Sequence, residues 1–154
     1  MTQFETRHRV AFTARQMYDL VADVETYPQF LPLCEGLVVR SREPLADGHL
    51  ITADMTVGYQ AIREHFTSRV SLAPAELMIT ARSNDGPFRQ LENRWTFRDA
   101  TGGGCDVDFF VAYEFSSFML QLLMGGMFEH AVRRFTAAFE ERARTVYGRN
   151  TARP

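Results

Sequence analysis

The chain has 154 residues, of which 45% are apolar and 23% charged, and its formal net charge is −2. That length supports one domain with a sizeable core, and that apolar fraction excludes wholesale disorder. The near-neutral balance excludes the global basic field of a nucleic-acid binder, and because all seventeen basic side chains are arginine, Schiff-base and lysine general-base chemistry are excluded too.

Phe4, Thr6, His8, Val10 and Phe12 alternate with Gln3, Glu5, Arg7, Arg9 and Ala11, the period of two of a strand with one wet face. Thr13 to Gln16 has the form of a capping box, and Met17, Leu20, Val21 and Val24 follow at helical spacing. Pro28 is placed to open a second short helix and Pro32 to close it. From Gly36 to Phe115 the chain reads as strands: Ile51, Ala53, Met55, Val57 and Tyr59 share one face, as do Ile62, Phe66, Val70 and Leu72. Leu77, Ile79 and Ala81 form a further run, then Leu91, Asn93, Trp95 and Phe97, then Val107, Phe109, Val111, Tyr113 and Phe115. ADGH, SNDGP and ATGGG supply the turns between runs. Clean alternation with short links predicts an antiparallel sheet with one covered face.

From Ser117 to Tyr147 the pattern is helical. Val132, Phe135, Phe139 and Val146 mark its apolar face, Gly125-Gly126 a point where it bends, and Gly148 its end. Such a helix is ~45 Å long at 1.5 Å per residue, enough to cross a whole sheet. The expected architecture is α+β: a curved antiparallel sheet wrapped around a long C-terminal helix, with two short helices after the first strand. Residues 1–148 form one domain in this reading and 149–154 a loose tail. A strongly curled sheet cannot close tightly on a single rod, so a cavity is expected between the two.

Several chemistries find no support. His8, His49, His65 and His130 lack metal-ligand spacing, and neither Cys34 nor Cys105 belongs to a CxxC. No catalytic residue and no metal ligand is assigned. The two distant cysteines fit a reduced, cytoplasmic chain. MTQFETRH is charged and alternating, unlike a signal peptide, and no stretch has the ~20 uninterrupted apolar residues of a membrane span. FSSFMLQLLMGGMF, Phe115 to Phe128, comes nearest but contains Gln and two Gly.

Five segments occur in one order: DVETYPQFLP, VGY at Val57 to Tyr59, GPFRQLENRWTF at Gly86 to Phe97, YEFSS at Tyr113 to Ser117, and AFEERARTVYG at Ala138 to Gly148. Together they resemble the coenzyme-Q-binding family of START-like, helix-grip domains, over about residues 3 to 148. That family groups a mitochondrial ubiquinone-binding protein with bacterial relatives, some of them called ribosome association toxins and others cyclase/dehydrase-like. It usually carries an aromatic, most often Trp, where this chain has Leu33.

The resemblance implies a non-catalytic lipid-binding domain whose ligand is ubiquinone, carried or presented for respiration or quinone biosynthesis, with peripheral contact at the inner membrane. A quinone needs apolar walls, aromatic surfaces and a few polar groups at its ring. The inward strand faces offer Met55, Val57, Tyr59, Trp95, Phe97 and Phe109. The helix offers Met119, Leu122, Leu123, Met127 and Phe128. Tyr27, Phe30, Leu31, Pro32 and Leu33 form the expected mouth. Glu64, Asn93 and Tyr113 are polar groups on otherwise apolar faces, candidates to orient the ring. The alternative is a protein that binds a ribosomal subunit and limits subunit association, through the six arginines between Arg133 and Arg153. An enzyme of the cyclase or dehydrase type, using Glu64 or His8 as acid/base, is the third reading.

Overall fold

A computed structural model describes the backbone of residues 1–152 and the side chains through residue 148. Strand β1 (Thr2–Val10) leads into helix α1 (Ala14–Ala22) and a 3-10 helix (Val24–Gln29). Six strands follow: β2 (Cys34–Leu45), β3 (Gly48–Tyr59), β4 (Ile62–Ala73), β5 (Met78–Ser83), β6 (Phe88–Asp99) and β7 (Cys105–Phe115). Helices α2 (Phe118–Arg133) and α3 (Phe135–Ala152) complete the chain. The seven strands form one curved antiparallel sheet in the order β1-β7-β6-β5-β4-β3-β2, so the two early helices carry the chain from one edge to the other.

Local chemistry fixes the first crossover. Gln16 N–H donates to Thr13 Oγ1 at 3.1 Å and Thr13 N–H to Gln16 Oε1 at 2.9 Å, the reciprocal capping box. Ala14 N–H donates to Asp99 Oδ1 at 2.8 Å, which pins the start of α1 to the end of β6. The second short helix starts at Val24, immediately after α1, with Pro28 inside it rather than at its start. Its tighter i→i+3 bonding, as from Phe30 N–H to Tyr27 O, accommodates the proline late in the turn.

β5 is half the length of its neighbours, so the sheet is split beyond Ser83. The loop that follows fills the split. Both carboxylate oxygens of Asp85 accept from Thr67 N–H, at 2.9 and 3.2 Å. Gly86 is pressed against β4 at φ +59°, and a Cβ there would sit 2.1 Å from His65 O, so only glycine fits.

The expected single C-terminal helix is two. The break falls at Arg134, where the backbone N–H donates to Ala131 O three residues back, and not at Gly125-Gly126, which lie inside continuous α2. Nor does Gly148 stop α3, which runs on to Ala152; only residues 153 and 154 of the expected tail fall outside the described backbone. Val132 and Phe139 are buried as expected, but Val146 is exposed, and Ala143 takes the inner position in its place. Phe139 ties the helix to both other layers: its ring lies 5.4 Å from Tyr27, 5.0 Å from Phe30 and 5.1 Å from Trp95, edge-on in each case. Among the described residues no helix is long and apolar enough to cross a membrane.

Candidate functional site

The concave face of the sheet does not close on the helices. A cavity of ≈100 Å³ remains, lined by side chains from six strands, α2, α3, the 3-10 helix and the loop after it. The register explains the void. Ala53 on β3 lies opposite Ser68 on β4, and Ala81 on β5 lies between Val70 and Asn93. Small side chains on three adjacent strands thus leave space on the inner face, under Phe128, Phe135 and Phe139 of the helices.

Aromatic packing makes the walls rigid. Trp95 faces the cavity, and behind it stack Phe97, at 6.1 Å and nearly parallel, and Phe109, at 4.7 Å edge-on. Phe128 packs on Tyr113 at 4.7 Å and on Phe88 at 5.2 Å. On the other side the Leu31–Leu33 loop completes the enclosure. Leu33 holds φ +69°, a left-handed conformation unusual for leucine, and its carbonyl accepts from Gly58 N–H at 2.9 Å.

The polar inventory is short. Asn93 Nδ2 donates to Phe110 O at 2.9 Å, and Trp95 Nε1 donates to Asn93 Oδ1 at 2.8 Å, so the carboxamide and the indole are both held in place. The Tyr27 hydroxyl donates to Val21 O, and burial raises its pKa well above the ordinary range. Burial likewise pushes the Cys34 thiol up to about 11, which keeps it neutral. Ser68 is the remaining polar side chain in the lining. Among the described residues no His, Asp, Glu or Arg faces the space, and no cluster could hold a metal ion.

Of the residues expected at a ligand site, Tyr27, Leu31, Pro32, Leu33, Met55, Val57, Asn93, Trp95 and Phe128 line the cavity. The others lie elsewhere. Phe97, Phe109 and Tyr113 are buried in the packing behind it. Phe30 sits against Phe139 under the Arg142 guanidinium, and Met127 packs on the core. Tyr59 is exposed beside the β3–β4 turn. Glu64 is half-buried opposite Val57 at the strand end, outside the lining. Met119, Leu122 and Leu123 correct the expectation most clearly: with Phe118 they are 56% to 75% exposed, on the outer face of α2. The inner face of that helix is Met124, Phe128, Ala131 and Val132.

His8, which alternation sets on the same strand face as Phe4 and Val10, is not buried there. Its side chain is 42% exposed, and Nε2 lies 2.8 Å from Glu140 Oε1, joining β1 to α3 away from the cavity. The arginines of the C-terminal region are largely engaged within the protein. Arg133 lies over Phe4 and beside Glu129, Arg142 donates to Gln29 at 2.8 Å, and Arg144 pairs with Glu140 and Glu141. The side chains of Arg149 and Arg153 lie outside the described residues.

Sequence reasoning missed Ala53, Ser68 and Ala81. Parity along the strands puts each on the inner face, but only the cross-strand register shows that they lie close together. It also missed Phe135 and Phe139 as cavity walls, since helical spacing marks them only as part of an apolar face.

A curled antiparallel sheet gripping a C-terminal helical segment, with an apolar cavity between them, defines a START-like domain. Residues 10–140 match the family model described as polyketide cyclase / dehydrase and lipid transport. The chain belongs to this family. It is 35% identical over 148 residues to the ribosome association toxin RatA of Vibrio cholerae, covering 96% of this chain and 99% of that one. It is 32% identical over 143 residues to the mitochondrial coenzyme Q-binding protein COQ10 homolog B of Xenopus laevis, covering 91% of this chain and 57% of that one. A START superfamily protein from Mycobacterium smegmatis has the same fold, with a TM-score of 0.74 at 23% identity over 94% of this chain and 98% of that one.

Proposed function

We propose that this protein binds ubiquinone in the cavity between sheet and helices, and carries or presents it without transforming it. The observation that carries the reading is the partly enclosed, aromatic-walled apolar cavity, in a chain similar to a coenzyme Q-binding protein. Among the described residues the lining holds no His, Asp, Glu or Arg, which supports carriage over catalysis, because acid–base chemistry needs a group poised to exchange a proton. The two ionisable groups in the lining, Tyr27 and Cys34, are both held neutral.

The size of the cavity sets a condition. A dry cavity of about 150 Å³ takes up benzene, and ligand pockets run to roughly 300–1,000 Å³. At ≈100 Å³ the interior space is too small for a substituted quinone ring with its tail. Binding therefore requires side chains at the wall to move apart, and the strained Leu33 loop and the unbranched Met55 are the parts of the wall best suited to do so. Each tail methylene removed from water then contributes ~0.8 kcal/mol. Organic extraction of the purified protein followed by mass spectrometry tests the reading. A co-purifying quinone is the expected result; repeated recovery of no quinone or lipid, with none bound on addition, would sink it.

Similarity to the RatA protein over 96% of the chain supports a second reading, in which the domain binds a ribosomal subunit and limits subunit association. Co-sedimentation with isolated subunits at moderate salt separates the two. Arg134, exposed and with no side-chain partner among the described residues, is the substitution of choice. Loss of co-sedimentation on Arg134→Ala with quinone content unchanged would favour the ribosomal role.

A further inference from the structure

Among the described residues that line the cavity, one polar side chain has spent none of its hydrogen-bonding capacity on the protein. Ser68 is 5% exposed and lines the space, and among the described residues its hydroxyl has no hydrogen-bond partner. The other buried serine does not share this state: Ser83 Oγ donates to Asp85 Oδ1 at 3.0 Å. A hydroxyl that faces an apolar cavity without a protein partner carries a free-energy penalty, whereas alanine would fill nearly the same space without one. The residues around it on the inner face, Phe66, Val70 and Ala53, are all apolar, so the hydroxyl is an isolated donor aimed into an apolar chamber.

We propose that Ser68 donates a hydrogen bond to a carbonyl oxygen of the ligand held in the cavity, and so makes the site select a carbonyl-bearing ring over a plain hydrocarbon of the same shape. The inference rests on the ligand-binding reading above and adds a specificity determinant to it. Asn93 stands two strands away from β4, roughly 10 Å between backbones at ordinary strand spacing. It has spent one amide N–H and one oxygen lone pair, so one of each remains for a second oxygen on the far edge of the ring. A flat ring with oxygens at two edges, as in a quinone or a cyclic diketone, matches that arrangement. Ser68 is the position to test, because changing Asn93 would also release Trp95.

Calorimetric titration of the full chain and its Ser68→Ala variant, each with a hexyl-substituted benzoquinone and with hexylbenzene, tests the assignment. The variant should bind the quinone about three- to tenfold more weakly and hexylbenzene with unchanged or slightly higher affinity. Without ligand its melting temperature should equal or exceed that of the unaltered protein. Equal quinone affinity in both proteins, equal loss for both probes, or a lower melting temperature of the ligand-free variant would each overturn the role of Ser68 while leaving ligand binding intact. An unaltered protein that takes up neither probe would overturn the ligand-binding reading, and this inference with it.

Discussion

Leu33 is a leucine in a conformation that favours glycine, at φ +69° on the wall of the cavity. The left-handed region costs a side-chain-bearing residue ~1–2 kcal/mol, and only glycine escapes that cost. This reverses the usual order of two truncations. Leu33→Ala loses the apolar contact and keeps the strain, whereas Leu33→Gly loses the contact and relieves it. Urea denaturation should therefore find the glycine variant about 1 kcal/mol more stable than the alanine variant; an alanine variant of equal or greater stability would show that the backbone there carries no strain. The thiols make a second prediction at this scale. Burial raises Cys34 and Cys105 to about 11, and raises Tyr27 as well, so the folded state favours their neutral forms. The unfolded chain ionises its thiols near pH 9. Stability is thus complete below about pH 9 and falls as pH rises through 11. Urea midpoints measured from pH 8 to 11 should decline only in that upper window, and a flat profile would contradict the burial of these groups.

Phe139 shows what a single position on an element does for the whole. It is fully buried and touches the 3-10 helix, the loop after it and the sheet through three edge-on ring contacts. Phe139→Ala should cost ~3–5 kcal/mol and enlarge the cavity, read as a lower denaturation midpoint. The outer face of α2 predicts the opposite. Leu122 and Leu123 are more than half exposed, so Leu122→Gln with Leu123→Gln should change stability by no more than about 0.5 kcal/mol each. A loss of several kcal/mol would mean that these side chains point inward after all. The error in reading them from sequence has a physical source. FMLQLLMGGMF is apolar almost all round, so its periodicity does not single out the face that turns to the core. The strands were legible for the converse reason, since one wet face and one dry face leave a period of two that admits a single inner set. The break at Arg134 left no mark at all: Val132-Arg-Arg-Phe135 contains neither proline nor glycine, and only the i→i−3 bond to Ala131 reveals it.

At the scale of the molecule, the fold was readable because seven alternating strands and a terminal helical segment have few ways to bury their faces together. The cavity was foreseeable as a consequence of curvature, but its floor was not. Ala53, Ser68 and Ala81 stand 15 and 13 residues apart in sequence, and strand parity alone does not say which residues become neighbours. Glu64 is the charged residue of that face and lies outside the lining; Ser68, two positions beyond Phe66 on the same face, is the polar residue of β4 that lies inside it. The chain holds a single tryptophan, Trp95, on the cavity wall, and this provides a direct test of the central claim. Trp95 emission can be followed while a short-chain ubiquinone analogue is added to the unaltered protein and to Ala53→Leu, whose folding is confirmed by its thermal melt. If the cavity holds the quinone, quenching saturates at one equivalent in the unaltered protein and is lost when leucine fills the floor. Quenching that rises linearly without saturation, and equally in both proteins, would contradict it.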